Sequence, residues 1–148
     1  MTTEPMQPPG RQPIGFWTVR AGEAIGARTR AALEAIGVTQ PEWWVLQQLC
    51  SHPDGMPRAD LTRTIGPNNT VAAVDTAVAA AIRKGWVRED GANLGATEAG
   101  AEQFERAAQV QQVLQDERMR GIGEDEYVTT ITVLQRTIAN VGGAAWHW

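Results

Sequence analysis

The sequence predicts a mostly α-helical chain with one small two-stranded β-hairpin. Three observations carry that reading. Apolar residues recur at three-to-four-residue steps along most of the chain, the spacing of amphipathic helices. Trp86-Val87-Arg88-Glu89 reads as a short strand, and Asp90-Gly91 behind it is a hairpin signal. Apolar residues make up 43% and charged residues 20%, enough for a packed core and too few charges for wholesale disorder.

Residues 1–13 hold Pro5, Pro8, Pro9 and Pro13 and are expected to form an irregular, mobile arm. A helix begins near Ile14, with Ile14, Trp17, Ala21, Ile25, Ala32 and Ile36 on one face and Gly37 as its stop. Thr39-Gln40-Pro41-Glu42 reads as a capping box for a second helix carrying Trp43, Trp44, Leu46, Leu49 and Cys50. Residues 51–55 are turn chemistry. Pro57 opens a short helix with Arg58, Asp60 and Arg63 outside and Leu61 and Ile65 inside. Gly66-Pro67 ends it. Asn68 or Asn69 is expected to cap the next helix, which runs to about Lys84 behind Val71, Val74, Val78 and Ile82. The hairpin follows, with a return strand of two or three residues near 94–96. Thr97 caps a long helix to about Arg120, with Phe104, Ala107, Ala108 and Leu114 inward. The last helix, about 124–141, spaces Tyr127, Ile131, Leu134, Ile138 and Val141 like a heptad seam.

The net charge of −4 argues against a polybasic nucleic-acid coat but leaves room for a local basic patch. The single cysteine, Cys50, allows no internal disulfide, which fits a reducing cytoplasm. The N-terminus does not read as a signal peptide, and no stretch approaches the ~20 apolar residues of a membrane span. His52 and His147 are too few and too far apart for a metal site. No nucleophile elbow, phosphate loop or carboxylate pair stands out, so neither an enzyme nor a cofactor is expected.

A helix-turn-helix followed directly by a small hairpin is the winged-helix arrangement, in which the second helix of the pair fits the DNA major groove. On that reading Arg58, Arg63 and Arg88 are candidates to hold phosphates. Asn68, Asn69, Thr70 and Thr76 are candidates for base or phosphate hydrogen bonds, with Ala73 on the same helix. From 58 to 88 five cations face two anions, a local +3. The bland alternatives are helix capping by the asparagines and Thr70, and an ordinary solvated face for the arginines.

The chain resembles the multiple antibiotic resistance regulator (MarR) family. The matching pieces are Thr39-Gln40-Pro41-Glu42-Trp43-Trp44-Val45-Leu46, the helix carrying Arg58 and Ile65, and Arg83-Lys84-Gly85-Trp86-Val87-Arg88. Ala96-Thr97-Glu98-Ala99-Gly100 is similar to the family's Leu-Thr-x-x-Gly, and residues 121–127 resemble its break before the last helix. The resemblance implies one domain over 14–141. Residues 14–38 and 98–141 would build a helical homodimer interface, 39–97 would form the DNA-binding winged helix, and 142–148 would be a tail. It also implies palindromic operator DNA, a recognition helix starting near Asn69, and release by a small ligand. Two departures stand out. The family's arginine-bearing wing tip is replaced by Asp90-Gly91-Ala92-Asn93, with no cation. Ala72, Ala73 and Ala77 stand where longer recognition side chains often sit.

Trp17, Trp43, Trp44 and Trp86 are candidates to line a pocket for a small apolar effector, against the alternative that they are core. Cys50 reads as an inert, buried thiol. Trp146 and Trp148 either pack on a partner subunit or belong to a loose tail. The expected function is therefore a cytoplasmic, dimeric transcription regulator that binds double-stranded DNA as repressor or activator. The alternative is a ligand- or protein-binding module of the same fold that has lost DNA recognition.

Overall fold

Local sequence signals set most of the element boundaries. The computed structural model describes residues 5–146. The order is α1 (Ile14–Glu34), α2 (Gln40–Cys50), β1 (Met56–Pro57), α3 (Arg58–Ile65), α4 (Val71–Arg83), β2 (Val87–Asp90), β3 (Asn93–Ala96), α5 (Glu98–Met119) and α6 (Glu124–Asn140). Single 3-10 turns lie at Pro9–Arg11, inside the arm, and at Gly66–Asn68. α1 ends in a Schellman turn. The Val38 N–H donates to Leu33 O at 3.0 Å and the Gly37 N–H to Glu34 O at 2.9 Å, with Gly37 at φ +76°. Thr39, Thr70 and Thr97 cap α2, α4 and α5, each Oγ accepting a first-turn N–H.

The hairpin is longer than the sequence suggests, and it is not alone. β2 and β3 have four residues each, paired from Val87↔Ala96 to Asp90↔Asn93. A third strand, β1, pairs with β3 through Met56↔Leu94 and Pro57↔Asn93, giving a three-stranded antiparallel sheet in the order β1-β3-β2. Two residues are too short for any periodicity to register, so this strand was invisible in the sequence.

The main core joins α2, α3, α4 and the sheet through Val45, Leu46, Leu49, Leu61, Ile65, Val74, Val78 and Leu94, each at most 1% exposed. Burying one such side chain contributes about 1.5–3 kcal/mol. A smaller cluster of Leu33, Val38 and Ala107 ties α1 to α5. Trp43 and Phe104 stack beside it, with centroids 5.2 Å apart and planes 7° apart. The Gln103 amide donates to Ile36 O at 2.8 Å, satisfying a carbonyl at the end of α1. Farther out, Arg28 grips Glu117 through two hydrogen bonds of 3.0–3.1 Å. Those bonds hold the Glu117 carboxyl below its usual range.

Two apolar stripes do not meet the chain's own core. On α1 the buried residues are Thr29 and Leu33, while Ile14, Trp17 and Ile25 remain 43–45% exposed. No residue of α6 is buried, and Tyr127, Ile131 and Ile138 are 39–42% exposed. Their periodicity is that of a packed face, but the chain supplies no surface to pack it against. On α4, Val71 is likewise outside (59% exposed), and Ala77 and Ala81 take its place in the core. Ala77 is therefore not a shortened recognition residue.

Candidate nucleic-acid interface

The α3–α4 pair is held from both sides. Pro57 precedes α3, and the first N–H of that helix, on Arg58, donates to Ala92 O in the hairpin loop at 2.9 Å. Ile65 anchors its other end before the 3-10 turn. The cap of α4 is Thr70 and neither asparagine. Its Oγ accepts the Ala73 N–H at 3.1 Å, and Asn69 Oδ1 accepts the Thr70 N–H at 2.8 Å. The buried side of α4 is Val74, Ala77, Val78 and Ala81. Its outward side carries Val71, Ala72, Asp75, Thr76, Ala79 and Arg83.

The sequence-predicted contacts do not converge on one surface. Arg58 is engaged twice, by Glu89 Oε2 at 2.5 Å and Asp75 Oδ1 at 3.9 Å. Arg63 pairs with Asp60 at 2.8 Å and stays 75% exposed. The Arg88 guanidinium lies over Gly95 and donates to Ala96 O at 2.9 Å. Asn69 lines a cleft on the α2 side of the turn, and Ala73 is half-buried in a groove between α4 and the start of α2. The Thr76 hydroxyl donates to Ala72 O at 2.9 Å, which spends its proton on its own helix. The side chain of Asn68, and His147 and Trp148 of the tail, lie outside the described residues.

The local charge also changes once the strand is complete. Carrying the count from 58 to Asp90 adds Glu89 and Asp90, so five cations face four anions. The wing edge is acidic where the sequence window stopped at Arg88.

Two functional groups escaped the sequence reading. Asp75 stands on the outward side of α4 with its side chain 57% exposed. Lys84, just past the end of α4, is the other. Its ammonium reaches Glu42 Oε2 at 2.7 Å and Gly37 O at 3.0 Å and sits 4.6 Å from the Trp86 ring centre. Glu42, 2% exposed, also accepts the Thr39 hydroxyl at 2.9 Å. The capping box thus closes through the side chain of Thr39, and its carboxylate is shared with α4. A hydrophilic residue early in an amphipathic helix is an ordinary cap by sequence, so nothing local signals a partner on another helix.

The four tryptophans do not line one cavity within a chain. Trp44 borders a cleft of about 530 Å³ with Arg30, Glu34, Val38, Pro41 and Asn69. Trp43 is stacked on Phe104, and Trp86 bridges the two cores beneath Lys84. Trp17 lies at the far end of α1, edge-on to Phe16 with centroids 5.2 Å apart. Among the described residues there is no cluster of three or more His, Cys, Asp or Glu suited to a metal ion, and no helix is long and apolar enough to cross a membrane.

No protein-family model matches the chain, and no curated protein matches its sequence. Solved structures do match its fold. A MarR family transcriptional regulator from Silicibacter pomeroyi superposes with a TM-score of 0.75 at 18% identity, over 86% of this chain and 92% of that one. The MarR family protein Rv2887 of Mycobacterium tuberculosis, solved in complex with DNA, gives 0.67 at 23% identity over 89% and 99%. CouR from Rhodococcus jostii RHA1, bound to p-coumaroyl-CoA, gives 0.71 at 21% identity over 88% and 94%. At these identities the likeness is one of fold: the chain has the winged-helix fold of MarR family regulators.

Proposed function

We propose that a chain with this fold is a homodimeric, DNA-binding transcription regulator of the cytoplasm that recognises palindromic operator DNA, with α4 in the major groove. The observation that carries the reading is the fold itself, which a DNA-bound regulator shares over nearly its whole length. The unburied apolar faces of α1 and α6 support a two-fold partner, because large exposed apolar patches are otherwise rare on soluble chains. The cleft beside Trp44 falls within the usual ligand-pocket range and supports release by a small apolar effector, and a neighbour solved with p-coumaroyl-CoA supports ligand response more generally. The neighbours are regulators, which favours a role without catalysis. Phosphate contact would come from Arg63 and Arg83, with Arg58 held by Glu89 and Asp75.

One observation favours a second reading, a binding module with weakened DNA recognition. Arg58 and Arg63 are paired with carboxylates and Arg88 with a carbonyl, and the wing tip has no cation. A titration of labelled random-sequence duplex at about 50 mM and about 200 mM salt separates the two, because phosphate-driven binding is strong at the lower salt and falls steeply with the higher. A dimer that retains duplex at low salt is the expected result. A dimer that retains none supports the module, and a monomer at micromolar concentration overturns the proposal.

A further inference from the structure

The outward side of α4 carries a single charged side chain ahead of its last residue, and that side chain is an acid. We infer that Asp75 selects cytosine in each DNA half-site, with the methyl groups of Val71 and Thr76 set against thymine. This inference rests on the DNA-binding reading above.

The argument is one of donors and acceptors. An ionised carboxylate only accepts hydrogen bonds. In the major groove guanine shows two acceptors, thymine an acceptor and a methyl, and adenine a donor beside an acceptor. Cytosine shows the N4 donor, the edge a carboxylate fits. Guanine readout depends on a cationic fork, and α4 has no Arg or Lys before Arg83, its final residue. The Asn69 amide, suited to adenine, spends its Oδ1 on the Thr70 N–H at 2.8 Å, and the residue lines the cleft beside Trp44. Thr76 gives its proton to Ala72 O and lines the shallow groove between α4 and the start of α2, so it has an exposed methyl to offer but no free donor. Val71, 59% exposed one turn before Asp75, presents only methyl groups, whose complement on a base edge is the thymine methyl.

A carboxylate near phosphates is repelled, and Arg58 offsets only part of that cost, because its guanidinium lies 3.9 Å from Asp75 but is held more closely by Glu89 at 2.5 Å. Asp75 therefore trades general affinity for discrimination, and the two must move in opposite directions when it is removed.

The test is selection of bound duplexes from a random pool by the wild-type chain, Asp75→Asn and Asp75→Ala, followed by titration of the selected duplex and of a copy with uracil for thymine. Alanine at this exposed helical position favours the helix, so folding is preserved. The wild type is expected to fix a C·G pair in each half-site. Asp75→Ala should lower the preference at that pair about tenfold or more, while binding random-sequence duplex more tightly. The uracil copy should bind the wild type several-fold more weakly. An unchanged C·G preference in Asp75→Ala overturns the role of Asp75, and equal affinity for the uracil copy overturns that of Val71. Failure to retain any duplex at low salt overturns the DNA-binding reading and this inference with it. Duplex retained without cytosine preference overturns this inference alone.

Discussion

Replacing Lys84 with methionine keeps the aliphatic stem over Trp86 but leaves the Glu42 carboxylate without its cation. Glu42 is 2% exposed, so water cannot take over that role. Its one remaining described partner is the Thr39 hydroxyl at 2.9 Å. Breaking a buried pair so that one charge stays behind costs about 3–5 kcal/mol. The reverse change, Glu42→Gln, is milder. Lys84 is 39% exposed and keeps Gly37 O, the Trp86 face and solvent. Glutamine also retains an oxygen that can accept from it, so the loss is about 1–2 kcal/mol. For a chain of this size each kcal/mol moves the melting temperature by about 2–4 °C. Lys84→Met should therefore melt roughly 6–20 °C below the wild type, and Glu42→Gln roughly 2–8 °C below it. The assay is thermal unfolding by circular dichroism at neutral pH and one fixed protein concentration, since association also shifts melting. The double variant, with no charge left behind, should melt above Lys84→Met alone. Equal losses in the two single variants, or a double variant as unstable as the sum of both, would refute the asymmetric burial on which the reasoning stands.

Two further outcomes are expected. A Cβ at Gly100 would lie 2.0 Å from Trp86 O, so Gly100→Ala must push the start of α5 off the base of the hairpin. That change should cost about 3 kcal/mol, and a melting temperature within about 2 °C of wild type would show the approach to be looser. Burial pushes the Cys50 thiol up, so it stays protonated and weakly nucleophilic at neutral pH. Iodoacetamide should label the native chain markedly more slowly than the urea-unfolded one, and equal rates would contradict this.

What the sequence made legible is what is decided within a few residues. Thr39, Thr97, Gly37, Gly85 and Asp90-Gly91 punctuate the chain by local hydrogen bonding and backbone freedom, and the elements fall where they direct. The helix-turn-helix and wing followed from that order. Thr70 took the α4 cap from its asparagine neighbours because residues 66–68 had already closed a 3-10 turn. Partnerships between distant segments were not legible. Nothing near Glu42 announces Lys84, nothing near Arg58 announces Glu89, and β1 exists only because β3 passes beside it. Periodicity told which residues of α1 and α6 share a face, but not whether that face meets the chain's own core. The candidate interface suffered most, since a cation's availability depends on what sits across from it.

The sheet has a consequence for how copies of this chain can meet. Its two outer strands are poor templates for further strand pairing. One is β1, two residues long and ending in Pro57, which has no N–H to offer. The other is β2, whose outer edge runs Arg88-Glu89-Asp90 and repels a flat apolar neighbour. Intermolecular ladder growth, the route toward amyloid-like association, is therefore blunted at both borders. In the proposed two-fold pair, contact between chains would fall to the helical arms, where side-chain fit rather than generic backbone pairing decides which surfaces stay together.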